Sequence, residues 1–436
     1  MVKSNKTKKE LLSKLGIEAQ NEMQIAVEKA ILQNSEIMIS SPTGTGKTLA
    51  FLMPIFELID DELEGVQAMI IVPTRELGIQ IEQVIRQMGT GYKTNVVYGG
   101  RTIKKDKIEL THTPTIIVGT PGRMADHIRR ESFDVKDIRF LVLDEFDKSL
   151  EIGFDADMEE IVEDLRHLEK TILTSATTNI DIPRFIKFDN PIKLDFHDKG
   201  GAQLSLKLIE SPEKDKLATL YKALCHLGEA SGIIFCNFKD SIKRVSDYLS
   251  ENNIEHGIFQ GGMEQQDRER ALIKFRNGTH RLLIATDLAA RGIDIPALDF
   301  IIHYHLPNHK HEFIHRNGRT ARMTNQGAAY ILKWTDEILP EFIPELPKED
   351  ITEKYPPQPT GWQTVFVSGG RRDKISKGDI AGLFIKQGGV ENDDLGIIEL
   401  KEECAFVGVN SQHIDKVIEK INNTRLKKKK VRIYKI

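Results

Sequence analysis

The sequence IMISSPTGTGKT (residues 37–48) leads from a short apolar segment into a glycine-rich turn, and a helical pattern of apolar residues follows it. Glycine lets the backbone N–H groups of such a turn curl around phosphate oxygens, and the N-terminus of the following helix attracts anions. Lys47 is placed to reach the β- and γ-phosphates of a nucleotide, and Thr48 to offer its hydroxyl group to Mg²⁺. A glycine-rich turn without a ligand is the alternative, but the strand–loop–helix context favours a phosphate-binding loop.

Three carboxylates end a second apolar segment, FLVLDEFDKS (residues 140–149). Asp144, Glu145 and Asp147 would repel one another and lose hydration if they were buried without partners. Parallel sheets bind ligands at the carboxyl ends of their strands. We therefore predict that Asp144 contacts the Mg²⁺ held by Thr48 and that Glu145 orients or deprotonates the attacking water. Helix capping by one aspartate is the alternative, but it does not explain both carboxylates together with the loop.

The composition of the 436-residue chain is that of a globular protein, and its length predicts two to four domains. Its apolar runs fall short of the ~20 residues that a membrane helix needs, and the basic N-terminus lacks the apolar stretch of a signal peptide. Cys225, Cys236 and Cys404 are odd in number and widely spaced, which favours reduced thiols over a disulfide frame or a zinc site. We therefore predict a cytoplasmic protein without a membrane segment, and we expect a monomer.

Short β-branched segments alternate with helical patterns through the first 340 residues, which is typical of parallel α/β sheets. The segments that read as buried strands in the first half are IMIS (37–40), AMIIVP (68–73), TIIVGT (115–120), FLVLDE (140–145) and TILTSAT (171–177). The pattern begins again with GIIFCN (232–237), HGIFQG (256–261), RLLIATD (281–287), DFIIHY (299–304) and AAYIL (328–332). We therefore predict two parallel-sheet domains, joined near residues 198–206.

A third unit follows a proline-rich connector between residues 340 and 359. Its strand-like and helix-like segments alternate as βαββαβ, the order of a small ferredoxin-like α+β sandwich. Residues 361–436 carry 15 Lys and Arg against 10 Asp and Glu, a net charge of +5, whereas the rest of the chain carries −9. A basic tail on an acidic body favours a polyanion partner, and a solvated surface tail is the alternative.

The segment HRNGRTAR (residues 315–322) places Arg319 and Arg322 three residues apart, on one helical face. The predicted phosphate site has no arginine of its own, so these two groups would stabilise the transferring phosphoryl charge when the two domains close. A solvated basic helix is the alternative for an isolated pair of arginines. The neighbouring segment ATDLAARGID (285–294) favours the catalytic interpretation.

Taken together, these segments resemble the DEAD-box RNA helicases over roughly residues 15–340, with the motifs in the family's order. The matching elements are Gln24, SPTGTGKT (41–48), PTREL (73–77), Gly99, Gly100, TPGR (120–123), DEFD (144–147), SAT (175–177), IIFCN (233–237), QGGMEQQDRER (260–270), ATDLAARGID and HRNGRTAR. His315, together with PTREL and SAT, favours the DEAD-box branch over the related DEAH type. The resemblance implies an α/β chain with two RecA-like P-loop domains in tandem, an RNA-dependent ATPase that uses ATP and Mg²⁺.

The resemblance also implies roles for single residues. The expected catalytic residues are Lys47, Asp144, Glu145, Arg319 and Arg322, with Thr48 and Asp144 on the Mg²⁺. Nucleotide contacts are expected from Gln24, Thr43, Gly44, Thr45, Gly46, Lys47, Thr48, Gly292 and Asp294. RNA contacts are expected from Pro73, Thr74, Arg75, Gly99, Gly100, Thr120, Pro121, Gly122, Arg123, Gln260, Gly261, Thr286 and Asp287. Ser175, Thr177 and His315 would couple ATP hydrolysis to RNA.

Three positions depart from the family pattern. Phe146 replaces an alanine, and a ring that faces the core there needs a compensating gap. No aromatic residue precedes Phe51, so the side chain that usually covers adenine upstream of the glutamine is absent, which would weaken nucleotide affinity or adenine selectivity. Phe238 replaces a small polar residue beside an RNA-contact motif. We nevertheless expect ATPase activity, because the nucleotide-binding carboxylates are kept.

The tail resembles the RRM-like RNA-binding domain of DbpA/YxiN-type helicases over about residues 363–435. In that family the domain targets the enzyme to a hairpin of large-subunit ribosomal RNA. Arg371, Arg372 and Lys374 are its expected phosphate contacts, together with the lysine run at 427–430, and Phe366 and Phe406 would either stack on bases or pack in the core.

The predicted domains are therefore an ATP-binding RecA-like domain (1–198), a second RecA-like domain (206–340), a proline-rich linker (341–360) and an RRM-like domain (361–436). The predicted function is ATP-dependent local unwinding of RNA duplexes, on ribosomal RNA or a pre-ribosomal particle during large-subunit assembly. Three alternatives stay open. These are an RNA clamp or annealing factor with weak or no hydrolysis, a general RNA helicase in RNA decay or cold adaptation, and a DNA-dependent motor on the same scaffold.

Overall fold

The computed structural model describes residues 7–42, 44–178, 181–197, 204–287, 298–320, 327–352, 354–410, 412 and 414–436. The described residues up to 197 form one compact unit, and those from 204 onward form a second. None of the helices in these ranges combines the length and the hydropathy needed to span a lipid bilayer.

The first unit is a parallel sheet with helices on both faces. Within the residues that the structure describes, seven strands pair in the order β3-β4-β2-β5-β6-β1-β7. The strands are β1 (Glu36–Ser40), β2 (Ala68–Ile71), β3 (Thr94–Val97), β4 (Ile116–Gly119), β5 (Phe140–Leu143), β6 (Lys170–Ser175) and β7 (Ile192–Asp195). The helices are α1 (Lys8–Lys14), α2 (Glu22–Gln33), α3 (Lys47–Leu58), α4 (Arg75–Met88), α5 (Ile103–Leu110), α6 (Pro121–Arg129), α7 (Phe146–Ile152) and α8 (Asp155–Asp164).

Alternating side chains of the central strands fill two separate cores, one on each face of this sheet. Ile70 and Val142 point into the core beneath α2, α3 and α4, whereas Met69 and Leu141 point into the core that contains Phe146. Because these strands are covered on both faces, nearly all of their residues are apolar, which is why the sequence predicts them. The edge strands β3 and β7 carry polar residues and lie outside the prediction.

The second unit begins with another parallel sheet. In the described part of this unit, six strands pair in the order β10-β11-β9-β12-β13-β8. They are β8 (Leu204–Ser211), β9 (Gly232–Phe235), β10 (Gly257–Phe259), β11 (Leu282–Ala285), β12 (Phe300–His303) and β13 (Gly327–Trp334). The helices are α9 (Leu217–Leu227), α10 (Lys239–Glu251), α11 (Gln265–Arg276) and α12 (Lys310–Asn317).

The proline-rich segment after β13 packs along the outer strand of this sheet. The N–H of Leu208 in β8 donates to the carbonyl of Pro347 at 2.9 Å, and the N–H of Glu349 donates back to the carbonyl of Leu208 at 2.8 Å. Ile343 is buried with Leu208 and Phe313. The connector therefore covers a sheet edge that would otherwise expose unpaired backbone groups.

The C-terminal part of the second unit is a small α+β sandwich. Its four-stranded antiparallel sheet has the order β15-β16-β14-β19, built from β14 (Trp362–Val367), β15 (Leu395–Leu400), β16 (Ala405–Asn410) and β19 (Ile433–Lys435). Its helices are α13 (Lys377–Gly382) and α14 (Ile414–Ile421), and a two-stranded hairpin joins β17 (Arg425–Leu426) to β18 (Lys429–Lys430). This strand order confirms the predicted ferredoxin-like fold, and the two parallel sheets confirm the rest of the fold class.

Candidate functional site

The loop between β1 and α3 has the backbone shape that phosphate binding requires. Gly44 and Gly46 adopt left-handed φ angles of 82° and 91°, which a residue with a side chain adopts only with strain. Gly46 is the N-cap of α3, so the unpaired N–H groups of the first helical turn come directly after the loop. Lys47 is nearly buried, and its Nζ donates to the loop carbonyls of Ser41 and Pro42. The lysine predicted to reach the nucleotide phosphates therefore lies within the loop.

Gln24 ties α2 to the same loop. Its Nε2 donates to the carbonyl of Gly46 at 3.3 Å, and Nδ2 of Asn21 donates to the carbonyl of Thr45 at 3.1 Å. The two side chains also cap α2 reciprocally, through the N–H groups of Gln24 (2.8 Å) and Asn21 (3.0 Å). A Cβ atom at Gly46 would lie 2.5 Å from Gln24 Nε2, so this contact requires glycine. Sequence reasoning missed Asn21, although its spacing of three residues from Gln24 is that of a capping box.

Asp144 is buried where β5 ends and is held by Thr174 of the neighbouring strand β6. The Thr174 hydroxyl donates to Oδ1 of Asp144 and accepts from the N–H of Glu145 at 3.1 Å. Glu145 has a φ angle of 48°, which is uncommon for a residue with a side chain. Thr174 therefore stabilises both the carboxylate and the turn after it. The sequence prediction missed Thr174, and its only signal was its place directly before the SAT segment.

The SAT segment contacts the last carboxylate of DEFD. Oγ1 of Thr177 donates to Oδ2 of Asp147 at 3.2 Å, and the Thr177 N–H donates to Oγ of Ser175 at 2.8 Å. Strand β6 lies between β1 and β5 in the sheet. The segment that ends β6 is therefore set between the phosphate-binding loop and the two aspartates.

The pKa values of Asp144 and Asp147 are both raised above the ordinary range for a carboxyl group, and burial is the largest cause. The nearby Lys47 and the hydroxyl donors oppose this shift without cancelling it. Burial costs the charged form hydration, and one lysine offsets this only in part. A divalent cation would stabilise the ionised carboxylates. The oxygen donors at hand, Thr48 at the start of α3 and the carboxylate of Asp144, are of the type that Mg²⁺ prefers.

Phe146 is fully buried in the core between the sheet and α8. Met158, Ile161 and Leu143 belong to the same cluster. The larger ring therefore occupies core volume, while Asp144 and Asp147 on either side of it point to hydroxyl partners.

The predicted RNA contacts of the first unit follow β2, β3 and β4, on the other half of the sheet from β1, β5 and β6. Thr74 caps α4 by accepting from the N–H of Leu77 at 3.3 Å, and Pro73 precedes it. Gly99 and Gly100 are exposed, and Gly100 has a φ angle of 85°. A Cβ atom there would lie 3.2 Å from Nη1 of Arg75, which places the arginine of PTREL beside the glycine pair.

Arg123 is held by a buried carboxylate that sequence reasoning missed. Asp106 accepts from Nη1 of Arg123 and faces Nε2 of His127, both at 3.1 Å from its Oδ2, and lies 3.3 Å from Nε of Arg101. Thr120 is the N-cap of α6, and Pro121 and Gly122 form its first turn. Asp106 sits in a polar helical segment, so its pattern in the sequence is that of a solvated residue.

Arg316 of α12 is the centre of a buried polar cluster beside the second parallel sheet. Its guanidinium group is buried and donates to both oxygens of Asp287 (2.6 and 2.5 Å), to Oδ1 of Asn237 and to the carbonyl of His305 (both 2.8 Å). The sequence prediction gave Asp287 a direct RNA contact and gave Arg316 no role. In the structure both carboxylate oxygens of Asp287 accept hydrogen bonds from Arg316 instead.

The remaining predicted residues of this domain lie at strand ends, in α12 or in the turn directly after α12. Gln260 and Gly261 follow β10, and Thr286 follows β11, where its N–H donates to the carbonyl of Phe259 at 3.4 Å. His315 is buried in the last turn of α12, which ends at Asn317. Arg319 is also buried but follows the helix, so the prediction that it lies on a helical face is wrong. Four predicted site residues lie outside the described residues: Thr43, Gly292, Asp294 and Arg322.

The predicted basic contacts of the C-terminal sheet domain surround a solvent-facing turn. Arg371 lies 3.5 Å from Glu402, and Arg372 lies 2.9 Å from Glu403, with both pairs largely exposed. The carbonyl of Lys374 accepts from Nζ of Lys427 at 2.6 Å. Exposed pairs of this kind are weak, so their cations can exchange partners for phosphate.

Comparison with known proteins agrees with this arrangement. A family model described as DEAD/DEAH box helicase matches residues 21–185, the helicase conserved C-terminal domain matches 215–324, and the DbpA RNA binding domain matches 364–435. The chain is 30% identical to the ATP-dependent RNA helicase DbpA of Bacillus subtilis over 97% of this chain and 96% of that protein. This protein belongs to the DEAD-box family. The helicase DbpA of Escherichia coli is 29% identical over 97% of this DEAD-box chain and 95% of its own.

Solved DEAD-box structures share the fold of the two helicase domains. Saccharomyces cerevisiae Dbp5 bound to RNA and ADP BeF3 has a TM-score of 0.67 and 26% identity, over 76% of this chain and 89% of that chain. Mss116p bound to ssRNA and AMP-PNP has a TM-score of 0.66 and 26% identity, over 76% and 73%. The recognition from sequence is therefore confirmed. The protein is an ATP-dependent RNA helicase of the DbpA type, an RNA-dependent ATPase with a dedicated RNA-binding domain.

Proposed function

We propose that this helicase uses ATP to open short RNA duplexes in large-subunit ribosomal RNA during ribosome assembly, as a cytoplasmic monomer. One observation carries the ribosomal assignment. The four-stranded C-terminal domain matches the DbpA RNA binding domain over 364–435 and stands in the same chain as both helicase domains, and the two DbpA relatives align with 97% of this chain. The predicted boundaries at 198, 206, 340 and 361 are proposed as the limits of these domains.

The proposed chemistry assigns each group of the phosphate site a role. Lys47 binds the β- and γ-phosphates, and Thr48 and Asp144 hold Mg²⁺, which neutralises charge on the phosphates when it is bound. Glu145 accepts the proton of the attacking water. Arg319 and Arg322 stabilise the charge on the transferring phosphoryl group. Gln24, whose amide already contacts the loop, reads the adenine edge, together with contacts from Gly292 and Asp294.

RNA contacts by the helicase domains are proposed to be independent of sequence. Gly99, Gly100 and the N-terminal turns of α4 and α6 present backbone N–H groups, which bind phosphate without reading bases. Gln260, Gly261 and Thr286 contribute in the same way from the second sheet. Asp287 acts there through Arg316, because its carboxylate is already occupied by that guanidinium group.

The first test is steady-state ATP hydrolysis with no nucleic acid, with poly(A), with DNA, and with fragments that tile large-subunit ribosomal RNA. We expect one ribosomal fragment to stimulate turnover far more than poly(A) or DNA. Equal stimulation by all RNAs would remove the ribosomal assignment, and equal stimulation by DNA would revive the DNA-dependent motor. Turnover that no RNA stimulates would favour an RNA clamp.

Two substitutions and one truncation test the separate roles. Lys47→Ala should abolish nucleotide binding or turnover, and Glu145→Gln should bind ATP and RNA without turnover. Persistent hydrolysis by Glu145→Gln would show that another group activates the water. Removal of residues 361–436 should erase the preference for the ribosomal fragment while stimulation by poly(A) remains. A truncated chain that still prefers the fragment would show that the C-terminal domain does not select the target.

A further inference from the structure

The C-terminal sheet has one face covered by its own helices and one face that they leave open. The covered face carries Val365, Val367 and Val407, which pack in a core with α13 and α14. The strand register puts Thr364 opposite Gly408, and Phe366 opposite both Phe406 and Tyr434. These residues alternate with the core residues, so they share the other face.

Helix α11 of the second helicase domain, with the turn after it, lies against this open face. Oγ1 of Thr279 lies 2.7 Å from Oγ1 of Thr364, and Nδ2 of Asn277 lies 3.4 Å from the same atom. All three side chains are buried. Buried hydroxyl and amide groups need hydrogen-bond partners, and each domain supplies the partner for the other.

Two ion pairs frame the contact. Arg276, the last residue of α11, donates from Nε and Nη2 to the two carboxylate oxygens of Glu399 in β15, at 2.7 and 3.0 Å. Nζ of Lys401 lies 2.7 Å from Oε1 of Glu269. Each domain contributes one acidic and one basic residue, so the two ion pairs have opposite polarity. A bidentate arginine pair also fixes orientation, so this pattern sets a defined register between the two domains.

Small residues allow the two backbones to approach closely. A Cβ atom on Gly408 would lie 3.5 Å from the Cβ atom and from the carbonyl oxygen of Asn277. Gly278 has a φ angle of 75°, and the ring of Trp362 lies beside it. Trp362 also leaves no room for a side chain at Gly396, where a Cβ atom would lie 2.9 Å from the ring. The indole is therefore enclosed by glycines of both domains.

Of the aromatic residues on this face, Phe406 is buried, whereas Phe366 is half-buried and Tyr434 is exposed. Phe406 is only 5% exposed although it lies outside the core cluster of its own domain. Its cross-strand neighbour Glu399 is held by Arg276. RNA bases stack on this face in many domains of the same topology, but here Thr364 and Phe406 of the two central strands are buried. Exposed cations of the domain are present away from this face, at the turn 371–374 and the hairpin 425–430.

We propose that the open face of the C-terminal sheet is an intramolecular docking surface for α11 and its following turn, and that the domain binds RNA while docked, through other surfaces. The docked domain is a fixed extension of the second helicase domain, so RNA that it captures is held at a constant position relative to β10 and β11. This inference rests on RNA binding by the DbpA-type domain and does not require the RNA to be ribosomal.

A disulfide across the contact tests the proposal. Asn277→Cys with Gly408→Cys places two Cβ atoms near the ~3.5–4.5 Å separation that a disulfide needs. Cys404 is replaced by serine to avoid side reactions, and Cys225 and Cys236 are buried. We expect mild oxidation to cross-link most of the full-length protein, as a mobility shift on a non-reducing gel that dithiothreitol reverses. Each single-cysteine variant is the control, and failure of the pair to cross-link overturns the docking.

RNA binding by the cross-linked protein tests the second half of the proposal. We expect its Kd for the ribosomal RNA fragment that the full-length protein binds most tightly to stay within about twofold of the same sample after reduction. If the sheet face stacked even one base, cross-linking would weaken binding by about tenfold or more, and that result would overturn the proposal. The cross-linking assay contains no RNA. Its result therefore does not depend on whether the protein prefers a ribosomal RNA fragment.

Charge reversal gives an independent readout. In the two-cysteine background Arg276→Glu should slow cross-linking, and adding Glu399→Arg should restore the rate. Arg244→Glu is the matched control, because Arg244 pairs with Asp215 within the second helicase domain at 2.6 Å. An unchanged rate in Arg276→Glu would show that this ion pair does not hold the domains together.

Discussion

Thr177 donates a hydrogen bond from Oγ1 to Oδ2 of Asp147 at 3.2 Å, and this bond links the end of β6 to the carboxylates that follow β5. The same strand supplies Thr174 to Asp144. Strand β6 therefore contacts both aspartates, and a change at the phosphate site would reach the SAT segment through these two hydroxyl groups.

Removal of the Thr177 hydroxyl should separate hydrolysis from duplex opening. We expect Thr177→Ala to keep RNA-stimulated ATP turnover within about fivefold, because a single net hydrogen bond contributes only about 1 kcal/mol. Its rate of strand separation should fall much further. Turnover and opening of a labelled duplex are measured on the same preparation, with Thr178→Ala as the control, since Thr178 is the exposed neighbour. Parallel loss of both activities would place Thr177 in the hydrolytic step.

Asp106→Asn should weaken RNA binding without a change in ATP affinity. The substitution removes the charge that holds Arg101 and Arg123, and breaking a buried ion pair costs about 3 kcal/mol of folding stability. The concentration of poly(A) for half-maximal ATPase stimulation should rise, while the KM for ATP stays constant. Asp126→Asn on α6 is the control, because Asp126 pairs with Arg130 at the surface. An unchanged requirement for poly(A) would show that Arg123 needs no support from Asp106.

Phe146→Ala restores the alanine of the family tetrad, and it should nevertheless destabilise this protein. Phe146 is fully buried among Met158, Ile161 and Leu143, and loss of a buried phenylalanine costs about 3–5 kcal/mol. The melting temperature of the first unit should fall by roughly 10 °C in Phe146→Ala. The decrease in melting temperature should be smaller in Phe146→Leu. ATP turnover measured well below the melting temperature should persist. A melting temperature equal to that of the unsubstituted protein would mean that the core closes around the cavity.

The buried, neutral His303 should make the second unit less stable at acid pH. Burial and the nearby charge of Arg316 lower the pKa of His303 from 6.5 to about 3. Between these values the unfolded chain binds a proton that the folded chain does not, so the free energy of unfolding falls as the pH drops from about 6.5 towards 3, by up to about 1.4 kcal/mol per pH unit.

Urea unfolding of the second unit between pH 7 and pH 5 measures this slope. His303→Gln should make the slope shallower whatever its effect on stability at pH 7, whereas His167→Gln at an exposed site of the first unit should leave it unchanged. His280 and His305, whose pKa values burial lowers to about 4, should account for part of the remaining slope. Identical slopes with and without His303 would contradict the assignment.

Much of the fold and of the phosphate site was predictable because short-range patterns specify them. Central strands such as β2 and β5 are buried on both faces, so their apolar runs are unbroken. The edge strand β7 was missed because solvent permits exposed polar residues such as Lys193 there, and β3 was missed because Thr94 and the buried Asn95 interrupt its apolar run. Asn21, Thr174 and Asp106 were missed for a different reason, since each acts on a residue distant in the sequence.

The sequence by itself determined the order of three domains, the phosphate-binding loop, the carboxylates after β5 and the membership of the DEAD-box family. These depend on residue types at short spacings, which constrain the backbone and the chemistry locally. Only the tertiary structure decided which hydroxyl holds which aspartate, that Asp106 anchors Arg123, and that Thr364 meets Thr279 on a sheet face that the topology alone would leave for RNA. Such pairs lie 17 to 85 residues apart in the chain, and packing, not local pattern, brings them together.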